Sequence, residues 1–351
     1  GGVEKQITHY PGTDLDPYWE TRPAWSPDGR KIAYVRSEGG QWTYYAPWQL
    51  AVVDLATGKE SQPALPDQFT IKPHWLPDSR HLLALVESPQ AMTAVKVDIE
   101  SGKTEALTEG GRFDYGIAVN TSGDVVLNSS TPGSPFELQR LTGKNRLTAL
   151  TDHNAWLRTR TLAPTESIAF RSADGTRIEG LLIKPVGYVS GRRYPTIVRL
   201  HGGPVYQFSQ EFMADWQVYA NAGFAVLAIN PRGSSGRGFD FARAIYADWG
   251  NKDVQDVQAG IEYVIAEGLA DPDRLAVGGW SYGAILTNAM IASDSRFKAA
   301  VSGAGISNSL AAYGYDQYSR EYELELGTPW ANKAVYERVS YPFLHADRIT
   351  T

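Results

Sequence analysis

Gly279-Trp280-Ser281-Tyr282-Gly283 is the stretch of this sequence best suited to do chemistry. A serine hydroxyl is a weak nucleophile until a base takes its proton. A serine on a sharp strand-to-helix turn is, however, presented outward with a helix N-terminus behind it, and small residues must flank so tight a turn. The glycines two positions to either side meet that need. The apolar run Leu275–Val277 predicts the strand before the turn, and a helix is expected from Tyr282 onward. The bland alternative is an inert serine in a Gly-rich turn, and the flanking elements weigh against it.

A second pattern, His201-Gly202-Gly203-Pro204, directly follows the expected strand Thr196–Leu200. Acyl transfer places negative charge on the substrate's carbonyl oxygen, and preorganised backbone amides stabilise it. The donors beside an elbow of this kind are the amide after the serine, here Tyr282, and one from a Gly-rich loop, where glycine lets the backbone come close. His201 precedes the serine in the chain and reads as structural rather than as the general base.

Weaker patterns point to local structure. Gly233-Ser234-Ser235-Gly236-Arg237-Gly238 lacks the spacing of a dinucleotide loop and reads as a flexible loop, with Arg232 and Arg237 as solvated arginines rather than carboxylate binders. Asp28 and Asp78 read as turn residues rather than calcium ligands, and His74 as a packed residue, since no second histidine stands at ligand spacing. Asn120-Thr121-Ser122 fits a glycosylation acceptor of a kind frequent by chance. No metal or cofactor is expected.

The elements that must position these residues fall into two grammars. Up to about residue 155, short apolar runs alternate with Gly, Pro, Asp and Ser clusters, and the segment repeats itself. Ala24-Trp25-Ser26-Pro27-Asp28-Gly29 leads into a strand Lys31–Val35, and His74-Trp75-Leu76-Pro77-Asp78-Ser79 into His81–Val86. Val119–Gly123 before Val125–Leu127 is a weaker third copy. Val53-Asp54-Leu55-Ala56-Thr57-Gly58-Lys59 recurs 44 positions later as Val97-Asp98-Ile99-Glu100-Ser101-Gly102-Lys103, and Leu141-Thr142-Gly143-Lys144 echoes it. A period of about 40–45 residues with several strands per repeat is the signature of β-propeller blades. About three blades are visible, fewer than the roughly 4–8 that close a ring.

After a linker near Asp152–Ala163, strands alternate with helices. Arg177–Lys184, Thr196–Leu200, Phe224–Asn230, Arg274–Val277 and Ala299–Ser302 read as strands, with Asp271-Pro272 ending a turn. Asp253–Glu267 reads as a helix, its Val254, Val257, Ile261, Val264 and Ile265 on one stripe. The fold class is therefore β-propeller blades (residues 1–155) followed by an α/β-hydrolase domain (residues 164–351), a doubly wound, mostly parallel sheet.

The 351 residues suit two domains at roughly 100–200 residues each. A net charge of −6 without a Lys/Arg cluster gives no case for nucleic acid or an anionic membrane. No apolar run approaches the ~20 residues of a membrane helix. The absence of cysteine excludes disulfides, thiolate catalysis and Cys-based zinc sites, while leaving the compartment, cytoplasmic or periplasmic and secreted, open.

Together these features resemble the prolyl oligopeptidase family of serine peptidases, in its acylaminoacyl-peptidase and dipeptidyl-peptidase branch. The likeness runs from about Glu166 to the end. It rests on Phe170–Gly175, His201–Pro204, Asn230-Pro231-Arg232-Gly233-Ser234, Trp249-Gly250 with Asp253, Asp271–Arg274 and Gly279–Ala284. The resemblance implies Ser281 as nucleophile, the Gly203 and Tyr282 amides as oxyanion hole, and a propeller that screens substrates by size. Its triad order is Ser, Asp, His, yet beyond Ser281 stand only Asp294, Asp316, Asp347 and His345. Ser340–Ile349 resembles the family's lead-in to its next strand. The expectation is a chain that stops before its triad Asp and His, so that neither is identified and the polypeptide alone is nearly inactive. In the dipeptidyl-peptidase branch paired glutamates hold the substrate amine, and residues 1–155 contain no Glu-Glu pair. That favours hydrolysis of short peptides or N-acylated amino acids, with a carboxylesterase as alternative and a non-catalytic propeller binding module behind it. The expected partner is a peptide or ester substrate, and a homo-oligomer is left open.

Overall fold

The computed structural model describes residues 3–14, 16 and 21–350. It divides into two compact units: Gly1–Arg158 with Ser209–Phe212 and Ser235–Phe239, and Thr159–Phe208 with Met213–Ser234 and Asp240–Thr351.

The first unit is built from three antiparallel meanders of four strands. They are β1 to β4 (Ala24–Trp25, Lys31–Arg36, Gln49–Asp54, Glu60–Ser61), β5 to β8 (Thr70–Trp75, His81–Ser88, Ala91–Asp98, Thr104–Ala106) and β9 to β12 (Phe113–Val119, Val125–Thr131, Ser134–Gly143, Arg146–Ala149). One parallel pair, Met92↔Phe113, joins the second meander to the third. Among the described residues the meanders form no closed ring.

The repeats in sequence are repeats of hydrogen bonds. The Ser26, Leu76 and Asn120 amides donate to the Lys31, His81 and Asp124 carbonyls, and Gly29, Ser79 and Gly123 turn at φ +72°, +54° and +84°. At the other hairpin, Gly58 and Gly102 stand at φ +70° and +72°, their amides donating to the Asp54 and Asp98 carbonyls at 2.8 Å in both copies. Asp28 and Asp78 use their carboxylates to cap these turns, accepting from the Arg30 amide and from the Arg80 and His81 amides. His74 Nδ1 sits 2.9 Å from the Lys72 carbonyl. Asn120 likewise caps its own turn, accepting from the Ser122 and Asp124 amides.

The echo at Gly143 differs: there the left-handed residue is Asn145 at φ +51°. Trp25 and Trp75 also part company. Trp75 packs with Leu50, Val52 and Leu82 and donates from its indole to the Ala24 carbonyl at 2.8 Å, whereas Trp25 is 63% exposed.

The second unit holds a six-stranded sheet in the order β13-β14-β16-β15-β17-β18. These strands are Thr165–Arg171, Arg177–Ile183, Ala225–Asn230, Tyr194–Leu200, Ala270–Trp280 and Phe297–Gly303, in that order. Pairs from β16 through β18 are parallel, and β13-β14 and β14-β16 antiparallel. Among the described residues the α-helices are α1 (Ala214–Asn221), α2 (Phe239–Ala242), α3 (Lys252–Ala266), α4 (Tyr282–Ser293), α5 (Ser309–Tyr313), α6 (Ser319–Leu326), α7 (Lys333–Val339) and α8 (Tyr341–Leu344).

β16 is buried along its whole length, as an interior strand covered on both faces should be. Its Leu227 and Ile229 pack with Val257 and Ile261 of α3 and with Leu286 of α4. Its Val226 and Ala228 pack on the opposite face with Trp216 and Ala220 of α1. Helices therefore cover both faces, and each buried Leu or Ile contributes roughly 1.5–3 kcal/mol. Gly260 lets α3 sit flush, because a β-carbon there would lie 2.4 Å from Ile229 Cδ1.

One strand went unread in the sequence, and one expectation needs correction. β13 pairs along its full length with β14, though only Phe170 of it is buried, so the sequence carries no two-faced apolar signal. Asp271-Pro272 lies inside β17 rather than before it. The register slips between Tyr194↔Ala270 and Thr196↔Leu275, and Asp271 closes the bulge by accepting from the Asp273 amide and from Arg274.

Candidate active site

β17 ends at Trp280 and α4 begins at Tyr282, leaving Ser281 alone to turn the chain, at φ +58° and ψ −121°. A side-chain-bearing residue in that region costs on the order of 1–3 kcal/mol and persists only where its surroundings impose it. Here the Ser281 amide donates to the Gly303 carbonyl at 2.9 Å, and the Ala284 and Ile285 amides donate to the Ser281 carbonyl. Both flanking glycines are required. A β-carbon on Gly279 would lie 2.5 Å from the Gly283 carbonyl oxygen and 2.6 Å from that of Leu200. One on Gly283 would lie 2.3 Å from the Leu200 oxygen and 2.8 Å from that of His201. The Ser281 side chain is exposed at the carboxyl end of β17, the edge where open α/β sheets bind ligands.

The Gly-rich loop leaves the carboxyl end of the neighbouring strand β15 and lies against the elbow. A β-carbon on Gly202 would sit 3.4 Å from Ser281 Cβ and 4.0 Å from its Oγ. Gly203 adopts φ +125°, and a β-carbon there would press to 2.6 Å on the Val205 amide. His201 is buried, its Nδ1 2.7 Å from the Gly202 carbonyl and its Nε2 2.8 Å from the Ser234 hydroxyl. Both ring nitrogens are thus committed to the loops, and burial pushes the imidazole down to about 4, keeping it neutral.

Arg232 corrects the solvated-loop expectation. It is buried, its Nε and Nη2 reaching the Asp256 carboxylate at 2.9 and 2.7 Å and its Nη1 pairing with Asp174. The Thr176 hydroxyl and amide, with Arg232, hold Asp174 down at about 2. The Gly233–Gly238 run is no flexible loop either. Residues 231–236 are buried, the Ser235 hydroxyl donates to Glu87 at 2.6 Å and the Gly236 amide donates to it at 3.0 Å. Arg237 is half-buried.

The C-terminal candidates are not brought together. Asp294 is held by Arg296 at 2.7 and 3.0 Å, and Asp316 accepts from the Tyr322 hydroxyl at 2.7 Å. The His345 ring lies 4.2 Å from that of Tyr341. Neither aspartate pairs with His345 among the described residues.

One contact escaped the sequence. The Tyr282 side chain turns inward and its hydroxyl donates to Asp253 at 2.5 Å. Asp253 is fully buried, and burial lifts its carboxyl to about 6 against the pull of these hydrogen bonds. The available signal was two acids, Asp253 and Asp256, standing on the buried side of α3 beside Val254 and Val257. Among the described residues no cluster of His, Asp or Glu could hold a metal ion, and no helix is long and apolar enough to cross a membrane.

Residues 210–350 match the model of the prolyl oligopeptidase family. An uncharacterized peptidase, YuxL, of Bacillus subtilis is 35% identical over 84% of this chain and 38% of its own length. Dipeptidyl-peptidase 5 of Porphyromonas gingivalis is 27% identical over 90% of this chain and 47% of its own. The chain thus spans less than half the length of these relatives. Among solved structures, an acylaminoacyl peptidase of Pyrococcus horikoshii superposes with a TM-score of 0.81 at 24% identity, covering 92% of this chain and 50% of that one. That likeness establishes a shared fold.

Proposed function

We propose that this chain, a member of the prolyl oligopeptidase family through residues 210–350, is part of a serine peptidase that cleaves short peptides or N-acylated amino acids by way of a Ser281 acyl-enzyme. The observation that carries the reading is the left-handed Ser281 with the Gly-rich loop packed against it. Ser281 Oγ attacks the scissile carbonyl carbon while a general base takes its proton. The carbonyl oxygen becomes an oxyanion that the Gly203 and Tyr282 amides receive. Collapse expels the amine, which takes up the proton, and leaves the acyl-enzyme for water to hydrolyse. His201, buried with both nitrogens engaged, is assigned to bracing the loop. We read the three meanders as blades of a β-propeller.

The test is hydrolysis by the full gene product of an acyl-amino-acid anilide, a dipeptidyl anilide and a p-nitrophenyl ester. Anilide cleavage should fall at least about 10³-fold in Ser281→Ala. Cleavage of the ester alone would move the assignment to a carboxylesterase, and no turnover of any would leave a binding module.

A further inference from the structure

Within the second unit, the residue offering the Tyr282 amide is anchored by the far end of its own side chain. Tyr282 is the first residue of α4, so the direction of its N–H depends on how that first turn is seated. The ring is buried and cannot itself reach a substrate. Its hydroxyl donates to Asp253 Oδ2 at 2.5 Å, short for such a bond and fitting a charged acceptor. The same oxygen accepts from the Gly250 amide at 3.2 Å, and Oδ1 accepts from the Val254 amide at 2.9 Å. The carboxylate therefore ties the start of α3 and the Gly250 turn to the start of α4. Trp249 closes the other side, edge-on to the Tyr282 ring at 6.0 Å between centroids. The Trp249 indole donates to Glu325 at 2.7 Å, and the Ala247 amide donates to the same oxygen at 2.8 Å.

A buried carboxylate with no ion-pair partner among the described residues is a costly way to hold two helices together, since an apolar pair of equal volume would serve for stability alone. What it adds is direction: one fixed point for a hydroxyl at the end of a rigid ring. We propose that Asp253 is a positioning residue for catalysis, acting through the Tyr282 hydroxyl to aim the Tyr282 amide at the oxyanion. The proposal rests on the reading of Ser281 as nucleophile. An amide misaimed by a fraction of an ångström loses its advantage in the transition state, where the oxygen is charged, far more than in the bound substrate.

The experiment compares Tyr282→Phe, Asp253→Asn and the double variant with Ser281→Ala in the full gene product. It measures kcat, KM, thermal midpoint and affinity for a peptidyl trifluoromethyl ketone, whose adduct on serine carries the oxyanion. Tyr282→Phe keeps the amide and the ring. It should lower kcat about tenfold and weaken the ketone by a similar factor, with KM within about twofold. The double variant should lose little more than the worse single one. A lowered thermal midpoint in Tyr282→Phe with kcat and ketone affinity intact would overturn the proposal, leaving Asp253 a structural anchor. If Ser281→Ala itself retains full activity, the reading of the nucleophile fails first, and that outcome is separate from the one above.

Discussion

The turn at Gly29 and the elbow at Ser281 both send the chain through positive φ, yet they are held in opposite ways. At Gly29 nothing stands within 4 Å of where a β-carbon would go. Hydrogen bonds between sequence neighbours do the holding, the Ser26 hydroxyl and the Arg30 amide keeping the Asp28 carboxyl below its usual range. The same kind of carboxylate cap recurs at Asp54 in the first meander and at Asp98 in the second. At Ser281 the turn is enforced by backbone pressing on Gly279 and Gly283, and by buried groups that lie far apart in sequence. A turn of the first kind can be copied along a chain and tolerates local damage. One of the second kind exists once and fails as a whole, which suits a place where atoms must be aimed.

The sharpest way to break this comparison is to add one methyl group on each side of it. Gly279→Ala drives a β-carbon into two carbonyl oxygens at 2.5–2.6 Å. It should destabilise the second unit by about 3 kcal/mol or more and abolish serine labelling in whatever remains folded. An effect below about 1 kcal/mol with labelling intact would show that the elbow is not enforced by packing. Gly29→Ala meets no atom and should cost only the φ penalty of about 1–2 kcal/mol, with labelling unchanged.

Between these in size lies a pH effect confined to the second unit. Burial raises Asp253 from 3.8 to about 6, so the folded state holds its proton more tightly. Its contribution to stability is greatest below about pH 4 and declines as pH rises to about 6. Burial lowers His201 from 6.5 to about 4, so its contribution is complete above about pH 6.5 and lost as pH falls toward 4. The two slopes oppose each other. Asp253→Asn removes one, and denaturant unfolding of the variant should then gain on the order of 3 kcal/mol between pH 4 and 6.5. A flat profile in the variant would mean that His201 is not buried neutral.

A smaller effect sharpens the repeat itself. Ser79 occupies at φ +54° the place that Gly29 takes in the first copy, but its hydroxyl also accepts from the Asp28 amide at 3.0 Å. Ser79→Gly relieves the backbone and loses that bond, so its unfolding midpoint should move by less than that of Gly29→Ala. A larger shift would show that the turns of the two copies depend on each other more than on their own backbone.

This division also explains what could be read from residues alone. The Gly58 and Gly102 hairpins and the Gly279–Gly283 elbow are legible because a local chain reversal demands glycine or a short polar cap at a fixed offset. The stripe of α3 is legible because burial follows its 3.6-residue period. β13 was not, since an edge strand buries only Phe170. Arg232 misled because a loop arginine is ordinarily solvated, and its acids, Asp174 and Asp256, come from elsewhere in the chain. The Tyr282–Asp253 bond spans 29 positions and has no local mark beyond an acid on an apolar stripe. The candidate nucleophile was thus open to sequence reasoning, and the groups that aim its surroundings were not.

The central claim is that Ser281 is the residue that attacks. The direct measurement is reaction of the full gene product with a fluorophosphonate probe, followed by mass spectrometry of the peptide containing residues 275–296. The account predicts one phosphonyl adduct on Ser281, absent from Ser281→Ala. An adduct on another residue that persists in Ser281→Ala would contradict it.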